Sequence, residues 1–386
     1  MKKSAFSILL LLGCALSCVY PYDADVAGDS GNLVVEGDIF IGSESEFALS
    51  TLEPISGSYT STTLYGKVYV EDENGAKYNG EYSKGSRGES VFVCDTRSAD
   101  PSLRHRLRIE LNDGRNYSSE WASSGGTCVL DSLSYRIVGD KEALEMLVSL
   151  HTDGSSSNFR YRYTETWEYT AQAYAYYYYD PEQTDEHPFG QVLRYPAGEN
   201  TYYCWDSDKS RGINLASTES MSEDVLVNYP IISFERDDTK ISYVYRLDLD
   251  VYPVNADSYA FYEHLKNMSE LSGDLFSPMP SEMRGNINSD SDPDEMVYGY
   301  VAVVTPSHSR LYVENGETNF YKAKGISRVD LIDDQGEDTW PTFYRKGYLP
   351  VMYNMESKNW ADKKCVDCRY QGGTKTRPDE WINDHK

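Results

Sequence analysis

Positive charge is scarce in this 386-residue chain, with 36 Lys and Arg against 62 Asp and Glu and a formal charge of −26. That balance repels nucleic acid and anionic membrane surfaces, so polyanion binding is excluded as a main role. Metal-ligating side chains are few as well. The six His (His105, His151, His187, His264, His308 and His385) are scattered, and among seven Cys only Cys365 and Cys368 have metal-ligand spacing. No second such pair completes a zinc site, so neither a metal nor a cofactor is expected. The chain has no nucleotide-binding glycine loop, no Gly-x-Ser-x-Gly elbow and no His-Glu-x-x-His helix, which leaves the commonest nucleotide, serine-hydrolase and zinc-protease chemistries without footing. Glu165 and Glu168 lie on a strand pattern at a spacing of three, which sends them to opposite faces and argues against a catalytic pair. Long apolar runs are also missing. The run at residues 8–12 is too short to span a bilayer.

What the first residues do hold is a targeting signal. Lys2 and Lys3 precede the apolar run, small residues follow, and Cys14 and Cys18 close the segment. This reads as a bacterial lipoprotein signal over residues 1–17, with Cys18 favoured over Cys14 as the lipidated residue because the chain turns polar there. Residues 18–32, with Asp23, Asp25 and Asp29, suit an acidic, flexible tether. The plain alternative is a cleaved signal and a secreted soluble product.

Tyrosine is the compositional outlier, at 34 residues against 11 Phe and 6 Trp. It favours strands and half-buried faces, and it also forms binding surfaces where a ring stacks while its hydroxyl stays wet. From Leu33 the hydrophobic period is two. Asn74-Gly75 and Asn112-Asp113-Gly114 supply hairpin turns between strand patterns, which predicts an immunoglobulin-like β-sandwich over residues 33–130. Residues 131–386 read as a larger β-rich domain, sandwich or barrel, with one helix near 257–272 capped by Asp257 or Ser258 and ended by Gly273. In the alternating stretch from Phe159 to Tyr169, Glu165 falls among Tyr163, Trp167 and other rings, a position that demands a partner. Tyr163, Trp167, Tyr176 and Trp205 are the candidate ligand surface. The run Asp290-Ser291-Asp292-Pro293-Asp294-Glu295 imitates a calcium loop but lacks its sixth-position glycine and closing Glu, and reads as a solvated acidic loop. An exported protein permits disulfides. With Cys18 lipidated, Cys94, Cys128, Cys204, Cys365 and Cys368 remain, an odd number. Cys94 and Cys128 can bridge two strands of the first domain, and Cys365 with Cys368 is expected as a short structural disulfide.

Several segments together resemble one family. Leu33-Val34-Val35-Glu36-Gly37, Asp113-Gly114-Arg115 and Asp131-Ser132-Leu133 match its N-terminal part. Thr164-Glu165-Thr166-Trp167-Glu168-Tyr169, Cys204-Trp205, Gly285-Asn286-Ile287, and Cys365-Val366-Asp367-Cys368 with Gly372-Gly373 and Trp381 match its remainder. The chain resembles the Bacteroidota family called domain of unknown function 4249. The resemblance implies an outer-membrane lipoprotein facing the cell exterior, anchored by lipid and working beside a TonB-dependent transporter in nutrient capture, and it supplies no catalytic residue. Two other readings are an adhesive surface protein and a hydrolase with an unrecognised site.

Overall fold

The computed structural model describes residues 31–52, 63–85, 88–140, 142–152, 154, 156–196, 198–221, 223–271, 284–321, 329–353 and 358–382. Cys14, Cys18, the signal, the tether as far as residue 30, and Gly273 lie outside the described residues.

The first unit holds β1 (Leu33–Glu36), β2 (Ile39–Phe40), β3 (Glu44–Thr51), β4 (Gly66–Asp72), β5 (Lys77–Lys84), β6 (Ser90–Asp95), β7 (His105–Leu111) and β8 (Asn116–Ser119). The middle of the chain gives β9 (Cys128–Val138), β10 (Ala143–Thr152), β11 (Asn158–Thr170), β12 (Tyr177–Asp180), β13 (Gln191–Arg194), β14 (Tyr203–Lys209), β15 (Leu215–Ser217), β16 (Val225–Glu235) and β17 (Val244–Pro253). Then come α1 (Ala256–Leu271), β18 (Ile287–Ser289), β19 (Val303–Val304), β20 (Ser307–Glu314) and α2 (Asn315–Thr318). The C-terminal part has β21 (Ile332–Asp333), α3 (Trp340–Arg345), β22 (Tyr348–Tyr353), β23 (Lys358–Asp362) and α4 (Lys363–Val366). The protein is mainly β, as its period-two pattern predicts.

In the first unit the strands run β1-β3-β6-β5-β4-β7-β8-β18 in one sheet that folds over itself through β5. Every second residue of β7 is buried, from His105 through Leu107 and Ile109 to Leu111, and these side chains meet Phe47, Leu49 and Phe92 in one core. Each such side chain, removed from water, contributes about 1.5–3 kcal/mol. The hairpin signals act as read: Asp72 Oδ1 accepts from the backbone N–H of Asn74 and Ala76 at 2.9 Å each, and Gly75 takes φ +90°. Gly114 does the same between β7 and β8 at φ +96°.

The first unit is not closed by residues 33–130 alone. The chain returns 168 residues after β8 to place β18 beside it, while the segment that follows runs parallel to β1 and β2. The N–H groups of Val35, Ile39 and Ile41 donate to Tyr298, Ala302 and Val304 at 2.8 Å. Ile287, Val297, Val301 and Val303 enter the same core. One returning segment thus pairs with both edges of the rolled sheet. Gly299 permits it, since a Cβ there would stand 2.0 Å from the Val35 carbonyl oxygen, and its φ of +130° suits no other residue.

The second unit is a sandwich rather than a barrel. Sheet β16-β10-β9 faces sheet β14-β11-β17-β20, and between them Leu144, Met146, Val148 and Leu150 meet Phe159, Leu247, Leu249 and Val251. α1 begins one residue before its expected start. Asn255 caps it, its Oδ1 accepting from Ser258 N at 2.8 Å, in place of the expected Asp257 or Ser258. Its turn-spaced Tyr259 and Tyr262 lean on the sandwich, while Leu265 is exposed.

A smaller C-terminal unit, invisible in the sequence pattern, joins hairpin β12–β13 to sheet β21-β23-β22 around Tyr179, Trp340 and Trp360. Beyond it residues 372–382 cross the outer face of the second sandwich as a strap. Thr374 pairs with Trp205, Trp381 packs on Trp205 and Val244, and the Tyr312 hydroxyl donates to the Glu380 carbonyl at 2.6 Å. Among the described residues no helix is long and apolar enough to cross a membrane.

Candidate functional site

The four residues named as a ligand surface do not share one. On β11, Tyr163 and Trp167 point into the space between the two sheets and are part of its core. Trp205 on β14 stands opposite Glu168 in register, on the other face of the same sheet, and is covered by Trp381. A two-residue period separates these rings by a full sheet thickness. Tyr176 alone is open, at 51% exposure.

Around Tyr176 the structure assembles a different group. Its ring centroid lies 4.7 Å from that of Tyr174, Tyr174 lies 5.0 Å from Tyr202, Tyr202 lies 4.9 Å from Tyr203, and Tyr203 lies 5.8 Å from Tyr243. These five rings come from the loop after β11, the approach to β14 and the start of β17, which end together because those strands are neighbours. Asn200 clamps the strip, donating through Nδ2 to the Tyr174 hydroxyl and accepting at Oδ1 from Tyr202 N, both at 3.0 Å. Backbone bonds from Ala171 N to the Tyr202 carbonyl and from Ala173 N to the Cys365 carbonyl hold the loop in place. Tyr174 and Tyr176 are 38% and 51% exposed, and the rings behind them are half-buried. Burial, reinforced by its neighbour Tyr202, pushes the Tyr243 phenol up to about 12, so it stays a neutral hydrogen-bonding group at any physiological pH. The strip presents ring faces and wet hydroxyls, suited to a ligand with apolar surfaces and hydroxyl or amide groups between them.

Beneath the strip lies the disulfide, and it is not one of the expected pairs. Cys204 of β14 bonds Cys368, with Cα atoms 5.7 Å apart, while Cys94, Cys128 and Cys365 are free. Cys94 faces the core of the first unit and Cys128 that of the second, so they cannot meet. Burial pushes the Cys94 thiol up to about 12. Cys365 sits on α4 against Val351, Ala361 and Val366, whereas Asp367 carries the chain in an extended conformation to Cys368, which packs with Tyr169. The three-residue spacing therefore brings the two cysteines to different clusters.

Glu165 has the partners its position demands. It is 6% exposed; Lys240 Nζ reaches Oε2 at 2.8 Å and the Tyr245 hydroxyl donates to Oε1 at 3.0 Å. Lys240 also lies 4.7 Å from the Trp167 ring centroid. Burial first, then the Glu165 charge, pushes the Tyr245 phenol far up, so it serves as a donor. Glu168 is on the opposite face, where Trp381 Nε1 donates to it at 3.2 Å. Both carboxylates hold sheets to their coverings.

The acidic loop is tied down rather than simply solvated. Glu295 accepts from the Tyr117 hydroxyl at 2.7 Å and from Ser289 Oγ at 2.9 Å, and Asp290 pairs with Arg108 at 3.0 Å. Among the described residues no group of three or more His, Cys, Asp or Glu side chains is placed to hold a metal ion.

Fold and site together define a protein of two β-sandwiches, laced by a returning segment, with a tyrosine strip where the second sandwich meets a disulfide-fastened C-terminal unit. The sequence model described as "Domain of unknown function (DUF4249)" matches residues 19–310, and the chain belongs to that family. The match ends within β20, so sheet β21-β23-β22 of the C-terminal unit and the strap lie beyond it, while hairpin β12–β13 lies within it. Comparison with curated proteins gives no match. Among solved structures the chain is similar to a DUF4785 family protein from Legionella pneumophila, at 10% identity and a TM-score of 0.20, over 57% of this chain and 52% of that one. The similarity thus spans about half the length of that protein.

Proposed function

We propose that this chain is a lipid-anchored protein of the outer cell surface, without enzymatic activity, that captures a ligand on its tyrosine strip and serves a TonB-dependent transporter. The observation that carries the reading is the strip itself: five contiguous rings, two of them open to solvent, on a loop fixed by backbone bonds and an asparagine clamp. A core needs no exposed rings, and such a patch on a secreted or anchored protein marks a contact surface. The lipoprotein pattern ending at Cys18 supports the anchor, and Glu165, the carboxylate set among the rings of β11, is taken up by its pairing with Lys240.

The test is a mild-detergent pull-down of the tagged, lipidated protein from its own outer membrane, with mass spectrometry of its companions. A stoichiometric transporter is expected, and the Tyr174→Ala/Tyr176→Ala variant should retain it while uptake of the transporter's substrate falls. Recovery of the protein alone, with normal uptake in a deletion strain, would sink the proposal. Loss of surface attachment in that strain would favour adhesion instead.

A further inference from the structure

A second concave surface lies far from the strip in sequence, at the seam between the first unit and α1. It is an open cleft of about 470 Å³. α1 contributes Asp257, Phe261 and His264 from one face, at spacings of four and three. Glu120, just after β8, Tyr300, on the returning segment, and Arg284 add to its side-chain lining. The floor is the backbone at Gly285 and Asn286. Asn286 is locked by two bonds to the backbone of Val301, at 2.8 and 2.9 Å, and a Cβ on Gly285 would fall 1.5 Å from the Gly299 carbonyl oxygen. The floor cannot shift without opening the first unit.

Elsewhere this acidic molecule pairs its interior charges, as in Asp38 with Arg160 at 2.6 Å. The cleft is different. Among the described residues, Glu120, Asp257 and Arg284 make no ion pair and no side-chain hydrogen bond, and His264 Nε2 is buried without a partner. Burial raises the Tyr300 phenol from its ordinary value, against a hydrogen bond with Asn255 that lowers it, and the charges of Asp257 and Glu120 add to the rise. The Arg284 guanidinium lines the same cleft, beyond salt-bridge reach of either carboxylate. Phe261, its ring centroid 5.4 Å from that of Tyr300, supplies an apolar wall.

We propose that this cleft binds a small zwitterion of the amino-acid or dipeptide class, its ammonium against Glu120 and Asp257, its carboxylate against Arg284 and its apolar side group on Phe261. Two carboxylates and a guanidinium that line one cavity of ordinary ligand size without pairing with each other fit that chemistry and neither a simple anion nor a polymer without charge. The site is independent of the tyrosine strip and stands whether or not the strip binds ligand.

The experiment is isothermal titration of the full mature chain with the dipeptide Gly-Phe in four forms: free, N-acetylated, C-amidated, and blocked at both ends. The free form should bind, and each block should weaken binding by about tenfold or more, the expected effect of losing one charge-assisted contact. Asp257→Asn, with Glu120 still in place, should reduce the preference for the free amine and keep that for the free carboxylate; Arg284→Gln should erase the preference for the free carboxylate and keep that for the free amine. Both side chains are exposed, and unchanged thermal midpoints will show that the variants fold. Absence of binding up to about 10 mM, equal binding of all four forms, or loss of binding in Tyr174→Ala/Tyr176→Ala would overturn the proposal.

Discussion

Replacing Lys240 by Met is the sharpest probe of how the second sandwich is held together. Lys240 enters from a short 3-10 turn and meets Glu165 at 2.8 Å, where the carboxylate side chain is 8% exposed and the lysine 26%. Removing one member of a buried pair typically costs about 3–5 kcal/mol, because the remaining charge is stranded in a poor solvent. Two features reduce that figure here. Water reaches the lysine end, and Tyr245 continues to donate to the carboxylate at 3.0 Å. The expected loss is therefore about 2–3 kcal/mol, with methionine keeping most of the stem packing over Trp167. Glu165→Gln should cost less, about 1–2 kcal/mol, since Tyr245 can donate to the amide oxygen and Lys240 can turn to water. The double variant should be less destabilised than the sum of the two by at least about 1 kcal/mol. Urea unfolding followed by tryptophan fluorescence is the assay, because urea does not screen ion pairs and Trp167 lies beside the altered charge. A Lys240→Met midpoint corresponding to less than about 0.5 kcal/mol, or simple additivity in the cycle, would refute the account of Glu165 as a paired structural carboxylate.

The remaining expectations concern other joints of the fold. Peptide mapping without reduction should recover Cys204 joined to Cys368, with Cys94, Cys128 and Cys365 alkylated as free thiols. Cys368→Ser should cost about 5 kcal/mol by the chain-entropy account of a loop this long and expose the strap to protease. Arg160→Met strands Asp38, which is 3% exposed and otherwise, among the described residues, accepts only from Ala302 N, so amide exchange at Ile39 and Ile41 should accelerate while strands of the second sandwich stay protected. His105 is fully buried, and burial holds its pKa below the ordinary 6.5. The unfolded state then binds more protons in that range, so the contribution is complete above pH 6.5 and is lost as pH falls through it. A His105→Phe variant measured between neutral and mildly acidic pH should show a shallower loss of stability than the parent.

Much of the architecture is written in local pattern, because a half-buried strand must alternate and a tight turn must use residues that tolerate its dihedral angles. The strands of both sandwiches, the turns at Gly75 and Gly114, the single long helix and the need of Glu165 for a partner all follow from neighbours in the chain. So does the family resemblance, which the match over residues 19–310 bears out, although the motifs from Cys365 to Trp381 lie beyond that match. What depends on residues distant in sequence was not legible. Nothing near Cys368 says that its partner is Cys204, 164 positions away, nor that residues 284–304 return to close the first unit. The exposed tyrosines form a strip, and the predicted quartet does not, because strand order decides which loop ends meet and which faces are covered. A period of two reports that a side chain faces inward or outward; only the tertiary structure decides what, if anything, stands on the other side.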